Sequence, residues 1–505
     1  MSLQFAQQSK PNILVIIVDQ LRVPMWFPQQ EELDGYLPGL AALRKNSVEF
    51  TQYFTAASFC TPARSTLLTG LYAPQTGVQN TENNDENTFL NPGFPTWGTL
   101  LRKRGYETYW WGKWHLSDTP SLENYGFSGG TFPSPNGGAG QGLRMDPFIV
   151  QQYLNWLTAQ SVRSAPKPWC TTVSLINPHD ETWYPRGTAC VPALNNAPRV
   201  FKKMPANFEK PETLWREKPV YQQWFQHQWS MINGPLPYSG EGYEEPWLRL
   251  LDIYLYCQQC VDREIHRVLS ALDSSPFAKN TIVLFLSDHG EHGGSHGLRT
   301  KGGSVYEESI HVPLYIRDLD RKGSRREQLV SSVDIPGLLL TLANGNNGWR
   351  DEAECEHLKE RLHLAEILRD ASRPGRPYIL STVDEDVPDE TVRNRVDGDI
   401  PHHVIGLRTR DGKLGHYSRW KENSFEIDHQ CCQLEYYNYQ EENGTNETLN
   451  QKHSHEAKQY CARLFDEAIP QELRLPLPEY LHEAQCEGYK QYYRYLTTLL
   501  QDWSI

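Results

Sequence analysis

Along this chain, short uninterrupted runs of β-branched and apolar residues alternate with longer segments of helical periodicity. Asn12–Val18, Thr171–Ile176 and Thr281–Leu286 read as strands buried on both faces, because none alternates with polar residues. Leu248–Leu272 reads as a helix, with Leu251, Leu255, Val261, Ile265 and Val268 on one stripe, and Asp334–Ala343 reads as a second. Gly129–Gly142 is rich in Gly, Pro and Ser and reads as a loop. The pattern predicts an α/β fold: a large, mostly parallel sheet sandwiched by helices. Each strand run ends in polar residues: Asp19-Gln20, Asn177-Pro178-His179 and Asp288-His289. The carboxyl ends of strands are where open α/β sheets bind ligands, so these three ends define a candidate site.

The polar stretch Asn344–Arg373 reads as a crossover out of this unit. Beyond it, Tyr378–Thr382, His403–Thr409, Leu414–Trp420 and Leu434–Gln440 read as short strands, with turn signals at Asp411-Gly412 and Glu442-Asn443-Gly444. Helices are expected at Glu456–Ala468 and Glu479–Trp503. The chain is therefore divided into a main α/β domain, residues 1–370, and a smaller C-terminal α+β unit, residues 371–505, carrying an antiparallel sheet. The amphipathic end, Tyr489–Trp503, leaves open packing within the chain or against a second copy in a homo-oligomer.

Composition narrows the function classes. With 38% hydrophobic and 22% charged residues, the chain is an ordinary globular sequence and not a disordered one. A formal net charge of −13 argues against nucleic acid as a partner, since phosphate-backbone binding rests on clustered Lys and Arg. An anionic substrate would need a locally basic pocket to overcome that field. No apolar run approaches the roughly 20 residues of a spanning helix, and residues 1–11 lack a basic region followed by an apolar one. The expectation is a cytoplasmic protein without a membrane partner. Ten cysteines are too few for a disulfide framework, and Cys257-x-x-Cys260 reads as buried structural thiols. Gly293-Gly294-Ser295-His296-Gly297 fits a serine-hydrolase pattern, but it lies past the strand rather than between strand and helix, so a chance match is the better reading.

The most specific stretch is Ser58-Phe59-Cys60-Thr61-Pro62-Ala63-Arg64-Ser65-Thr66-Leu67-Leu68-Thr69-Gly70. Pro62 and a following helical run place Cys60 at a helix N-terminus, where the dipole and Arg64 favour an anion; a thiolate there could attack or bind metal. Cys-x-Pro-x-Arg followed by Leu-Leu-Thr-Gly resembles the signature of the sulfatase family, within the alkaline-phosphatase superfamily. Gly105–His115 resembles that family's second signature, and Asp19, His179, Asp288-His289-Gly290 and Lys301 follow in the family's order. Leu434-Glu435-Tyr436-Tyr437 is similar to its small-domain strand, so the resemblance spans nearly the whole chain.

The resemblance implies that a maturation enzyme oxidises Cys60 to formylglycine, whose hydrate attacks sulfur and forms a covalent sulfo-enzyme intermediate. It implies one divalent ion held by Asp19, Gln20, Asp288, His289 and the modified Cys60. The Gln20–His289 pair is similar to the branch that includes phosphonate monoester hydrolases, choline sulfatases and some bacterial arylsulfatases. Fewer carboxylates and one imidazole make the site less purely hard, so Mn²⁺ rivals Ca²⁺. By the same resemblance Arg64 and Lys113 hold the nucleophile and anion, His115 is the base, and His179 and Lys301 bind sulfate and protonate the leaving group. His296, Trp183 and Tyr184 are expected to line the substrate pocket. The implied activity is hydrolysis of a small aryl or alkyl sulfate ester. Hydrolysis of phosphonate monoesters or phosphodiesters at the same site, an anion-binding relative with unmodified Cys60, and thiol catalysis by Cys60 with His115 are the competing readings.

Overall fold

Strand β1 (Asn12–Asp19) is buried at every residue, and its neighbours explain why. In the computed structural model, which describes residues 10–23, 30–81, 89–384, 400–421 and 426–501, β1 lies between β6 (Trp169–Pro178) and β7 (Thr281–Ser287), parallel to both. β4 (Glu107–Gly112) adds in parallel beside β6, with β5 (Ser128–Gly129) at that edge. On the other side β8 (Leu314–Arg317) runs antiparallel to β7 and to β2 (Val48–Phe50), and β9 (Ser324–Arg326) closes the sheet. The order is β5-β4-β6-β1-β7-β8-β2-β9, a mixed, mostly parallel sheet. A separate two-stranded ladder joins β3 (Tyr53–Phe54) to β10 (Val330–Ser331).

Alternate residues of β1 face opposite layers, as the pleat requires. Leu14, Ile16 and Val18 pack with Ile149 and Tyr153 of the helix Gln141–Ser161 and with Val261, Ile265 and Val268 of the helix Glu244–Asp273. Ile13, Val15 and Ile17 join Leu67 and Leu68 of the helix Cys60–Thr69 and Leu338 and Leu339 of the helix Ile335–Asn344. Both faces are thus covered, which is why the strand runs carry no polar alternation.

The C-terminal sheet is antiparallel, in the order β11 (Ile379–Val383), β12 (His403–Arg408), β13 (Gly412–Trp420), β14 (Ile427–Asn438). One face, with Leu380, Ile405 and Leu414, packs with Ala457 of the helix His455–Arg463 and with the wider helical turns of Leu464–Leu473. The other, with Val383, Val404 and Tyr417, packs with Phe59, beside Cys60, and with Trp224 and Phe225. Sheet and main layer are also joined by a buried ion cluster. Lys413 Nζ lies 3.0 Å from Glu307 and 2.6 Å from Glu447, and Arg408 lies 3.3 Å from Glu307.

Local boundaries differ from the sequence reading where a few apolar anchors replace periodicity. The stretch 344–373, read as a crossover, carries secondary structure of its own. It holds helical turns at Gly348–Asp351, Ala353–Leu358 and Leu364–Arg369, pinned by buried Trp349, Cys355, Leu358 and Leu364. Gly129–Gly142 runs directly into a 21-residue helix that contains Pro147. The final helix spans His482–Gln501; Trp503 and residues 1–9 lie outside the described residues. All ten cysteines are free, and Cys257 is buried.

Lys413→Met would strand the Glu307 and Glu447 carboxylates in the interior without their shared cation. We expect a loss of about 3–5 kcal/mol, read from the midpoint of denaturant unfolding.

Candidate active site

The ends of β1, β6 and β7 are level, since Val18 pairs with Leu175 on one side and Ser287 on the other. Asp19 closes β1, Asp288 and His289 follow β7, and His179 follows β6. Cys60 opens the helix Cys60–Thr69 after an extended Phe59, with Pro62 in the first turn and Gly70 ending the helix in the left-handed conformation that a Cβ disfavours. Lys113 and His115 follow β4, and Lys301 sits on the glycine-rich loop after β7. Gln20 and His115, with φ of 70° and 57°, hold left-handed backbone of the kind that gathers at functional sites.

Asp19, Cys60, Asp288 and His289 each offer a ligand atom, all within 4.8 Å of one another and all buried. Cys60 Sγ is 3.0 Å from His289 Nε2 and 3.8 Å from Asp19 Oδ1; His289 Nε2 is 3.3 Å from Asp19. Two cations brace the carboxylates. Arg64 Nη2 lies 2.9 Å from Asp288 and 3.3 Å from Asp19, and its Nη1 donates to the Lys113 carbonyl and Ser174 Oγ. Lys113 Nζ is 2.5 Å from Asp19 and 3.6 Å from Cys60 Sγ. The His115 and His179 rings also lie beside the thiol.

The titration tendencies follow from this packing. Burial pushes the Cys60 thiol up, but Lys113, Lys301 and His289 outweigh it and hold it well below the usual thiol range. Burial and Cys60 push Asp19 up, yet Lys113, His179 and His289 bring it below the usual carboxylate range. Asp288 is raised by burial and by Asp19; His289 is raised despite burial, by Asp288 and Cys60. His115 is lowered to about 4 by burial and Lys113, and His179 to about 4 by burial and Lys301, so both rings are neutral near pH 7.

Gln20, expected as a further ligand, adjoins the cluster through its backbone N–H, which donates to Asp288 at 3.2 Å, and its amide enters a buried polar network. Its Nε2 donates to Glu291 (2.5 Å), Thr182 (2.7 Å) and Glu181 (3.3 Å), and its Oε1 accepts from Lys301 Nζ at 2.7 Å. Lys301 Nζ in turn lies 2.7 Å from His179 Nε2. His296, expected in the pocket, is fully buried, stacked on Tyr306 at 3.6 Å and held at 2.7 Å by Glu209, away from the thiol. Tyr184 packs with Trp247 and Leu236, apolar anchors of the long stretch between His179 and Leu248. Trp183 does reach the lip: its Nε1 donates to the Gly137 carbonyl, and Gly137 lies against the His179 ring. The sequence reading missed Glu181, Thr182, Glu291 and Gly137; acidic residues two and three positions past the strand-end ligands were the available signal.

Two carboxylates, an imidazole and Cys60, with cations behind them at a level strand edge, are groups that could hold a cation and an anionic ester. A sulfatase family profile matches residues 11–345, and the chain belongs to the sulfatase family. It is a sulfuric ester hydrolase. The Δ4,5-hexuronate-2-O-sulfatase of Bacteroides thetaiotaomicron is 26% identical over 389 residues, 74% of this chain and 75% of that one. The choline-sulfatase of Rhizobium meliloti is 27% identical over 370 residues, 66% and 68% of the two chains. The phosphonate monoester hydrolase of Silicibacter pomeroyi shares the fold with a TM-score of 0.69 at 21% identity, covering 94% of this chain and 97% of that one.

A Cβ at position 137 would sit 2.8 Å from the His179 ring, on backbone with φ of 104°. Gly137→Ala is therefore expected to displace the ring and lower kcat/KM on a chromogenic sulfate ester by about 10²-fold, the usual cost of an ångström at a reacting group, while circular dichroism stays that of the wild type.

Proposed function

We propose that the protein hydrolyses a small aryl or alkyl sulfate ester through a formylglycine made from Cys60 by a maturation enzyme. The supporting observation is the buried convergence of Asp19, Cys60, Asp288 and His289 in front of Arg64 and Lys113. That donor set fits one divalent ion, Ca²⁺ or Mn²⁺: oxygens and a single imidazole, with no second thiol, face a common centre. When bound, the ion makes the hydrated residue 60 easier to ionise and neutralises charge on the transferred group. Gln20, next to Asp19 and bonded through its backbone N–H to Asp288, completes the proposed ligand set, and its amide oxygen also takes the Lys301 ammonium.

The remaining roles follow from position and protonation. One hydroxyl of the hydrate, having lost its proton to solvent, attacks sulfur as the ester S–O bond breaks, leaving the sulfo group on residue 60. Arg64 and Lys113, fixed on Asp19 and Asp288, offset the charge that develops there. The Lys301 ammonium, 2.7 Å from neutral His179, supplies the proton to the departing oxygen. His115, neutral and beside position 60, takes the proton of the second hydroxyl so that sulfate is expelled and the aldehyde returns. All these residues lie within 1–370, which we assign as the catalytic unit, with 371–505 as its subdomain.

A phosphonate monoester or phosphodiester carries the same single negative charge, and the shared fold with a phosphonate monoester hydrolase favours it as the second reading. Matched sulfate and phosphonate esters of one phenol separate the two; a higher kcat/KM on the phosphonate would replace the first choice.

Intact-peptide mass spectrometry across Cys60 is expected to find an aldehyde that reacts with an aminooxy probe. An unmodified thiol in turning-over enzyme would exclude this mechanism, and an unmodified thiol in inactive protein would favour the anion-binding relative. Because burial and Lys113 hold His115 at about 4, it remains a base down to that value. kcat should therefore fall as the pH drops through about 4 and not near the ordinary imidazole value; a limb near about 6.5 would remove His115 from this role.

A further inference from the structure

A second set of buried acceptors lies apart from the catalytic groups, where three distant segments meet. His296 comes from the glycine-rich loop after β7, Glu308 from the short helix Glu307–Ile310, and Glu447 from the C-terminal unit. All three are at most 1% exposed, and each offers one ligand atom within 4.8 Å of the other two. Asn207 and Glu209, on the long stretch between His179 and Leu248, complete the surroundings.

The His296 ring is oriented to offer a lone pair. Its Nδ1 lies 2.7 Å from Glu209 Oε2, so the ring proton sits on that nitrogen and Nε2 is left bare. A carboxylate behind one ring nitrogen is how proteins aim a histidine at a metal on the other. Glu308 Oε2, 3.8 Å from that Nε2, accepts no hydrogen bond, and neither do Asn207 Oδ1 and Glu209 Oε1, although all three side chains are more than nine-tenths buried. Donors are scarce here. The Asn207 NH₂ group has two hydrogens but faces three acceptors: Glu308 Oε1 at 2.8 Å, His296 Nε2 at 3.2 Å and the Asn446 carbonyl at 3.5 Å. The neighbouring ammonium groups serve other partners. Lys413 Nζ sits on Glu307 and Glu447, and Lys218 Nζ, 3.6 Å from Glu209, donates to the Tyr437 hydroxyl and the Glu447 carbonyl. Buried lone pairs in excess of donors are costly, and a cation at their centre removes that cost.

We propose that His296 Nε2, Glu308 Oε2 and a Glu447 carboxylate oxygen form a second cation site, distinct from the cluster around Cys60, that takes a divalent ion of the Mn²⁺ or Zn²⁺ kind. One imidazole among carboxylate oxygens suits those borderline ions. The site's task is structural. Its ligands belong to the main domain and to the C-terminal unit, so the ion clips one to the other beside the Lys413 ion cluster.

The test is Mn²⁺ titration of the full-length chain, stripped with chelator and dialysed, with the free ion read by paramagnetic resonance. Wild type is expected to bind one ion more per chain than Glu308→Gln. Glu209→Gln keeps all three ligands but loses the carboxylate that fixes the His296 ring, so it should keep the stoichiometry and weaken that ion about 10–10²-fold; it also serves if Glu308→Gln does not fold. Asp288→Asn, altered in the catalytic cluster, should retain the ion that Glu308→Gln loses. Equal stoichiometry and affinity in wild type, Glu308→Gln and Glu209→Gln would overturn the proposal, as would loss of all Mn²⁺ binding in Asp288→Asn. A wild type with one ion that Glu308→Gln loses and Asp288→Asn keeps would support this site and remove Mn²⁺ from the catalytic one, so the two assignments fail separately.

Discussion

The arrangement depends on how two carboxylates and a thiol can be kept together in the protein interior. Asp19, Asp288 and Cys60 are almost wholly buried, and an isolated charge there would cost several kcal/mol or more. Arg64 offsets both carboxylates and Lys113 offsets Asp19 and the thiol, each cation itself fully buried. Removing any one member leaves an uncompensated charge in the interior. The site is therefore rigid for an electrostatic reason, and its rigidity is what lets a reacting group find its partners already in place.

The sheet supplies the frame for that balance. Because β1, β6 and β7 are parallel and level, their carboxyl ends deliver Asp19, His179 and Asp288 to one rim, where the chain must turn sharply. The turns are paid for in left-handed backbone at Gln20, His115 and Thr300, each of which neighbours a charged or catalytic group. The helix Cys60–Thr69 packs its Leu67 and Leu68 under the same sheet, which carries its N-terminus to the rim. The C-terminal sheet holds it from the far side through Phe59 and through the pairing of Ala57 with Thr382.

Much of this was legible before the structure. Strands buried on both faces announce themselves as unbroken apolar runs, and Asn12–Val18 and Thr281–Leu286 each differ from the structure by one residue at their C-terminal end. The Cys60–Gly70 stretch encodes its helix through Pro62 and Gly70. What stayed hidden has a common physical cause: it depends on contacts between distant segments. Nothing local tells the Gln20 amide to meet Lys301 and Glu291, the latter 271 residues away. His296 lies in a histidine-rich loop that points at the site by sequence, but stacking on Tyr306 and the Glu209 carboxylate turn it inward. The half-buried β4 and the Pro-containing helix Gln141–Ser161 carry weaker periodic signals, and tertiary packing decides them.

The net charge of −13 would repel an anionic ester at long range, so capture must be local. Arg64, Lys113 and Lys301 are buried at the rim, where a low dielectric strengthens their pull at contact while the protein's outer field is screened within about 8–10 Å of solvent. Such a pocket selects for single negative charge and tetrahedral shape, properties that sulfate monoesters and phosphonate monoesters share. Charge therefore cannot choose between them. The two differ in the transferred group itself, where a phosphonate carries a carbon substituent in place of one non-bridging oxygen of the sulfate, so shape around that group has to discriminate.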